Sequence, residues 1–240
     1  MEIGYDKLLK SNSSEDKTQA KQLKEELRKF KRFASMLTPM SKYYCSEMCN
    51  KVTYDAIQVL GGSGYMRDYA CERLARDGRI TTIYEGTSQL QIVAAVRSIA
   101  NGTAERFIDQ LAHQSYDLEI KDLLEKLSQG TEQLKKATTF VKQQGTEYMD
   151  LYGRALVDMA VDLIIGYLFC GQASTNVNME AICNNENQKI PMKKRKAMLA
   201  RRFVTKNMPK LTALSELICT GDKSTFTDYG ILIGPVIPEA

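Results

Sequence analysis

The stretch Ile83–Gln91, which reads IYEGTSQLQ, decides how this chain folds. Its Tyr-Glu-Gly corner is followed at once by Thr87 and Ser88, which can cap a helix, and then by apolar residues at helical spacing. This order brings one carboxylate, several backbone N–H groups and a helix N-terminus to a single point. Such a point suits general-base chemistry beside an anionic or carbonyl ligand.

Two further motifs precede this stretch: Asp55–Tyr65, which reads DAIQVLGGSGY, and Leu74–Asp77, which reads LARD. In this order and spacing, the three motifs resemble the C-terminal helical domain of flavin-dependent acyl-CoA dehydrogenases. The match covers roughly Ala34 to Asn101. The remainder is loosely similar to the helical C-terminal extension of larger family members. The resemblance implies an all-α fold, with an antiparallel helical bundle followed by a second helical region.

The residue pattern also favours helices. No proline occurs between Pro39 and Pro191, and apolar residues recur three or four positions apart. A surface helix is predicted over Lys17–Phe33, with a narrow apolar stripe formed by Leu23, Leu27 and Phe30. We expect Thr38-Pro39 to break it. A second helix should run from about Met40 to Leu60, and Gly61-Gly62 should end it in a left-handed conformation.

We predict two domains, a partial dehydrogenase bundle over residues 1–114 and a helical extension over residues 115–240. In the extension, one helix should carry a long apolar stripe, kinked at Pro209. Asn184–Asn187 is predicted to be a polar loop and Gly230–Ala240 an extended segment. The stripe consists of Ala200, Phe203, Val204, Met208, Leu211, Leu214 and Ile218.

Composition excludes several classes of function. The net charge is only +4, and the basic run Lys193–Arg202 is better explained as a solvated helix face than as a nucleic-acid patch. The six cysteines are irregularly spaced, so neither a disulfide framework nor a metal site is expected, and a reducing cytoplasm would suit them. The most apolar run, Ala155–Cys170, contains two aspartates and is too short to span a membrane.

The resemblance assigns roles to the residues of the motifs. Glu85 would be the catalytic base, removing a proton from the α-carbon of an acyl-CoA thioester while hydride leaves the β-carbon for the flavin. The backbone N–H of Glu85 would bind the thioester carbonyl, and Gly86 would let the substrate approach. Flavin adenine dinucleotide (FAD) would be contacted by Gln58, Val59, Leu60, Gly61 and Gly62 from a neighbouring subunit, and by Thr87, Ser88 and Gln89.

By the same resemblance, the full enzyme would oxidise an acyl-CoA to its trans-2-enoyl form and pass electrons to an acceptor such as electron-transfer flavoprotein. A homodimer is the expected assembly. We find no counterpart here of the family's N-terminal helical domain and middle β-domain. We therefore expect this chain to be the C-terminal part of a longer enzyme, and to be inactive alone.

Two other interpretations remain open. The chain could be a non-catalytic helical module for interaction or dimerisation that has kept the fold. It could also be a relative of flavin-binding oxidases or nitroalkane oxidases, although these usually replace the glutamate. A dinucleotide-binding motif at Gly61–Gly64 is a weak alternative, because position 67 is an arginine and no strand precedes the run.

Overall fold

In the computed structural model, the described residues are 14–175, 180–183 and 188–234, with side chains described over 17–175 and 190–234. The chain divides into two compact units, residues 1–107 and 108–240. Nearly all the described residues are helical, which confirms the all-α prediction. The sheet in these ranges is a single two-stranded hairpin in the second unit.

The first unit is built on one long helix. Helix α1 (Ser14–Leu60) packs against three shorter helices that follow it in the chain. The elements after α1 are α2 (Gly62–Tyr65), α3 (Ala70–Ile80), α4 (Ser88–Ala100) and α5 (Thr103–Ala112). Helix α5 begins in the first unit, which ends at residue 107.

Helix α1 continues through Pro39, so the predicted break into two helices is wrong. Proline removes one N–H from the helical ladder. The Thr38 hydroxyl donates a 2.8 Å hydrogen bond to the carbonyl of Ala34 in the preceding turn. Buried side chains lie on both sides of the proline, among them Met36 and Tyr43. Because tertiary packing of an apolar face outweighs local propensity, the helix persists.

The buried seam of α1 is formed by Phe33, Met36, Met40 and Tyr43. These residues are three or four positions apart, so they lie on one face of α1. Helix α1 packs against α4, which also has buried side chains. The predicted stripe was partly wrong, since Phe30 is 48% exposed. Phe33 replaces it in the core and meets Phe107 edge to face, with 4.9 Å between ring centroids.

The second unit has a core of three long helices. Its elements after α5 are a 3₁₀ turn (Leu118–Ile120), α6 (Lys121–Gln144), α7 (Thr146–Ser174), β1 (Glu180–Cys183), β2 (Gln188–Pro191), α8 (Met192–Ile218), α9 (Ser224–Thr227) and α10 (Tyr229–Ile233). Helices α6, α7 and α8 all pack against one another. The strands pair antiparallel.

Helix α7 is long and apolar enough to cross a membrane, and it is the one such helix in the part of the chain described. It spans 29 residues, which is longer than the apolar run predicted from the sequence. However, 56% of its most apolar window is buried inside the structure. The buried central helix of a bundle has the same length and hydropathy, so these two properties alone do not indicate a membrane span.

Helix α8 confirms its predicted stripe. Ala200, Val204, Leu211 and Ile218 are fully buried, and the other members of the stripe are half-buried. As in α1, the helix continues through its proline, Pro209. The segment Asn184–Asn187 lies outside the described residues. The C-terminal prediction is corrected in part, because residues 230–233 are helical in α10 and residues 235–240 are not described.

Asp162 on α7 makes the second unit sensitive to pH. Burial raises the pKa of its carboxyl to about 6; Lys210 opposes this shift and Asp158 adds to it. Since the folded state binds this proton more tightly than the unfolded state, stability is lost as pH rises from about 4 to 6. We expect Asp162→Asn to raise the free energy of unfolding near pH 7 by up to about 3 kcal/mol.

The gain from Asp162→Asn should shrink to nearly zero at a pH of about 3 or below, where both states hold the proton. Urea denaturation at the two pH values, followed by circular dichroism, measures this difference. Asp150→Asn is the matched control, because Asp150 lies exposed on the same helix. An equal gain from Asp162→Asn at both pH values would argue against titration of this carboxyl.

Candidate active site

The candidate site is a sharp corner between α3 and α4. Among the described residues, Glu85 is the one non-glycine with a positive φ, at 55°, and Gly86 follows with φ at 91°. A positive φ in a residue with a side chain costs free energy and is often found at functional sites. The two residues together turn the chain sharply into the first turn of α4, at Ser88.

The corner is fastened by its neighbours within the motif. Gln91 donates a 3.0 Å hydrogen bond from Nε2 to the carbonyl of Glu85. The Thr87 side chain accepts a 3.3 Å hydrogen bond from the backbone N–H of Leu90, which confirms the predicted helix cap. These bonds hold the unusual backbone of Glu85 in place from one side.

Two polar side chains of α1 hold the corner from the other side. Lys42 donates a 2.6 Å hydrogen bond from Nζ to the carbonyl of Gly86. The Ser88 hydroxyl, which is 8% exposed, donates a 2.6 Å hydrogen bond to Oε1 of Glu47. The corner is therefore fixed on the long helix at the level of Lys42 to Glu47.

Sequence reasoning missed Lys42, Glu47 and Gln91 as supports of the site. Lys42 and Glu47 lie more than forty residues before their partners, so no local motif links them. Their position on α1 is a weak indication of this role, because Lys42 lies next to the buried Tyr43 and Glu47 lies next to the buried Ser46. Polar side chains at the border of a buried seam often have a partner on the neighbouring element.

The fastened corner leaves polar groups available for a ligand. In the part of the chain that the structure describes, the backbone N–H groups of Glu85, Gly86 and Thr87 donate to no protein acceptor. The Glu85 carboxylate is exposed and forms no hydrogen bond or ion pair there. A carboxylate beside unpaired N–H donors at a helix start can accept a proton and bind an oxygen atom of a ligand.

The second predicted flavin segment, Gln58–Gly62, lies at the C-terminal end of α1. Gly61 closes the helix with φ at 60°, and a side chain at Gly61 or Gly62 would meet nothing within 4 Å. All five residues are exposed, with Val59 84% exposed. Leu60 follows Glu47 by thirteen residues, or roughly 20 Å along the helix. Within one chain, the two segments are therefore well separated.

The backbone at Gly86 gives a direct test of the corner. We expect Gly86→Ala to lower the free energy of unfolding by about 1–2 kcal/mol, because alanine disfavours a positive φ. Its Cβ would also lie 2.7 Å from Nε2 of Gln91, against the hydrogen bond to Glu85. Gly62→Ala is the matched control, since Gly62 has open space and an ordinary φ. Equal losses of stability, measured by urea denaturation, would contradict the prediction.

Comparison with known proteins identifies the family. The family model described as acyl-CoA dehydrogenase, C-terminal domain, matches residues 18–100, and the model described as acyl-CoA dehydrogenase C terminal matches residues 100–185. The first matched region contains the corner at Glu85 and the glycines at the end of α1. The second includes α6 and α7.

Similar curated proteins match a short part of the chain. The caffeyl-CoA reductase-Etf complex subunit CarC of Acetobacterium woodii is 49% identical over 61 residues, which are 25% of this chain and 16% of that protein. An acyl-CoA dehydrogenase of Bacillus subtilis is 44% identical over 64 residues, 27% of this chain and 17% of that protein. A cyclohexane-1-carbonyl-CoA dehydrogenase of Geobacter metallireducens is 44% identical over 68 residues, 28% of this chain and 18% of that protein.

A solved structure shares the fold. It is an acyl-CoA dehydrogenase complexed with FAD from Bacillus anthracis, with a TM-score of 0.54 and 17% identity. The match covers 75% of this chain but only 30% of that one. The two family models, which together match residues 18–185, show that the chain belongs to the acyl-CoA dehydrogenase family.

Proposed function

We propose that this chain is the C-terminal part of a flavin-dependent acyl-CoA dehydrogenase and that Glu85 is its catalytic base. The observation that carries the proposal is the corner itself. An unpaired carboxylate and unpaired backbone N–H groups meet at one strained turn, and side chains from α1 and α4 hold that turn in place.

In this proposal the chain's own groups share the work of proton abstraction. The Glu85 carboxylate takes the proton from the carbon next to the thioester carbonyl. The backbone N–H of Glu85 donates a hydrogen bond to the carbonyl oxygen, where negative charge develops as the proton leaves. Gly86 carries no side chain, so the acyl-CoA can approach the corner closely. Substrate would displace water from the exposed Glu85 and make its carboxylate a stronger base.

The residues at the corner and at the end of α1 fit FAD by their chemistry. The backbone N–H of Thr87, which has no protein acceptor among the described residues, offers a donor to its pyrophosphate or ribityl groups. Gly61 and Gly62 leave open space for a flat ring or a phosphate. When bound, the flavin would accept the hydride from the β-carbon of the substrate.

We propose that the two FAD segments serve different active sites of a homodimer. A separation of roughly 20 Å along α1 favours contact between Gln58–Gly62 and the FAD of a neighbouring subunit. The exposed Val59 and Leu60 would then be covered by that subunit. We also propose electron-transfer flavoprotein as the electron acceptor; the name of one relative, a subunit of a reductase-Etf complex, supports this choice.

Visible absorption spectroscopy tests the proposal. The full-length protein should retain added FAD, and a saturated acyl-CoA should bleach the flavin band. Free coenzyme A is the control, because it has no acyl chain to oxidise. The isolated chain is expected to retain no flavin, because in this proposal other parts of the longer enzyme complete the site. Failure of the full-length protein to bleach would overturn the enzyme proposal and favour a non-catalytic helical module.

A further inference from the structure

We propose that a second site, separate from the corner at Glu85, binds a small phosphate-bearing ligand. It is a cavity of about 340 Å³ between the first half of α1 and the start of α5. Four cationic side chains line it: Arg28, Lys29, Arg32 and Arg106. Neither the dehydrogenase proposal nor the motifs of the family assign a role to this cavity.

Positive charge is concentrated around the cavity. Glu25 is the one acidic residue in the lining, so four cations face a single carboxylate. In the described part of the chain, none of the four cations forms an ion pair. Arg28 and Arg32 are four residues apart on α1, where like charges destabilise a helix. An anion in the cavity would remove this repulsion.

Buried lining residues hold one of the cations in place. Phe33 and Thr103 are buried there, at 5% and 2% exposure. The Thr103 hydroxyl accepts a 3.3 Å hydrogen bond from Nη2 of Arg106, which holds the guanidinium over the start of α5. Arg106 also bonds the carbonyl of Asn101 at 3.4 Å. The lining thus combines positioned charge with the positive end of a helix dipole.

The type of cation favours a phosphate-bearing ligand. Three of the four are arginines, whose planar guanidinium groups bind two oxygens of a phosphate at once. The arginines come from two helices, so they can contact a polyanion from different sides. A pyrophosphate group meets these requirements whether it is inorganic or part of a nucleotide or of coenzyme A.

Isothermal titration of the 240-residue chain with inorganic pyrophosphate tests the site. We expect saturable binding that Arg28→Ala/Arg32→Ala weakens by at least about tenfold, since each arginine would lose its charge-assisted hydrogen bonds to the ligand. Arg28→Lys/Arg32→Lys keeps the charge but loses the contacts of each guanidinium with two phosphate oxygens. Its affinity for pyrophosphate should therefore lie between those of the unaltered chain and of Arg28→Ala/Arg32→Ala. The matched control is Arg195→Ala/Arg202→Ala. It removes two arginines from a surface of α8, which contributes nothing to the proposed site.

Titrations with ADP and coenzyme A then identify the source of the phosphate. If ADP or coenzyme A binds more tightly than pyrophosphate, and Arg28→Ala/Arg32→Ala abolishes that binding, the result supports a nucleotide-bearing ligand. If they bind as tightly as pyrophosphate, the result supports inorganic pyrophosphate. Absence of saturable binding by all three would overturn the proposal, and so would equal weakening by the control variant. Because these titrations use neither flavin nor turnover, they stand apart from the test of the dehydrogenase proposal.

Discussion

Replacing Glu85 by glutamine in the full-length protein is expected to lower kcat by about 10²–10⁴-fold, the usual contribution of a positioned general base. Glutamine has nearly the same shape as glutamate, but its amide does not accept the proton at neutral pH. The backbone N–H groups of the corner stay in place, so KM for the acyl-CoA should change much less than kcat. Steady-state kinetics with a saturated acyl-CoA measure both constants.

Controls separate a chemical effect from damage to the fold. The Glu85→Gln variant should retain its flavin and its circular dichroism spectrum, because the exposed carboxylate makes no hydrogen bond or ion pair among the described residues. Glu216→Gln, on the exposed face of α8, removes a glutamate elsewhere and should leave kcat unchanged. A Glu85→Gln enzyme with kcat within tenfold of the unaltered protein would show that another group takes the proton.

The local features of the site were predictable from the sequence because short-range rules govern them. Thr87 caps α4 as a hydroxyl residue before a helix should, and Gly61 closes α1 with a positive φ. The stripe of α8 follows from helical spacing alone. These predictions depend on neighbours within four residues, and the sequence contains those neighbours directly.

Features that depend on distant partners were not predictable in the same way. The contact of Lys42 with the Gly86 carbonyl joins residues 44 positions apart. The continuity of α1 through Pro39 depends on packing of the seam against other helices, which outweighs the local effect of proline. The positive φ of Glu85 was also hidden, because a glutamate in the sequence gives no sign of that conformation.

The three-helix core of the second unit should be most sensitive at Leu127. This side chain is fully buried on α6, and its Cδ2 fills the space beside Gly166 on α7. We expect Leu127→Ala to lower the free energy of unfolding by about 2–5 kcal/mol, through lost burial and the cavity left behind. Leu118→Ala is the control, because Leu118 is 89% exposed and should change stability by less than about 0.5 kcal/mol.

A second substitution shows whether the contact between Leu127 and Gly166 explains that sensitivity. In the unaltered chain, a Cβ at Gly166 would lie 2.5 Å from Cδ2 of Leu127, so Gly166→Ala should cost about 1–3 kcal/mol. In the Leu127→Ala variant, the Cδ2 methyl group of Leu127 is absent. There the new Cβ enters the cavity, and alanine is also the better helix former by about 1 kcal/mol. Gly166→Ala should therefore destabilise the unaltered chain and stabilise the variant. Additive effects in urea denaturation would mean that the two positions do not interact.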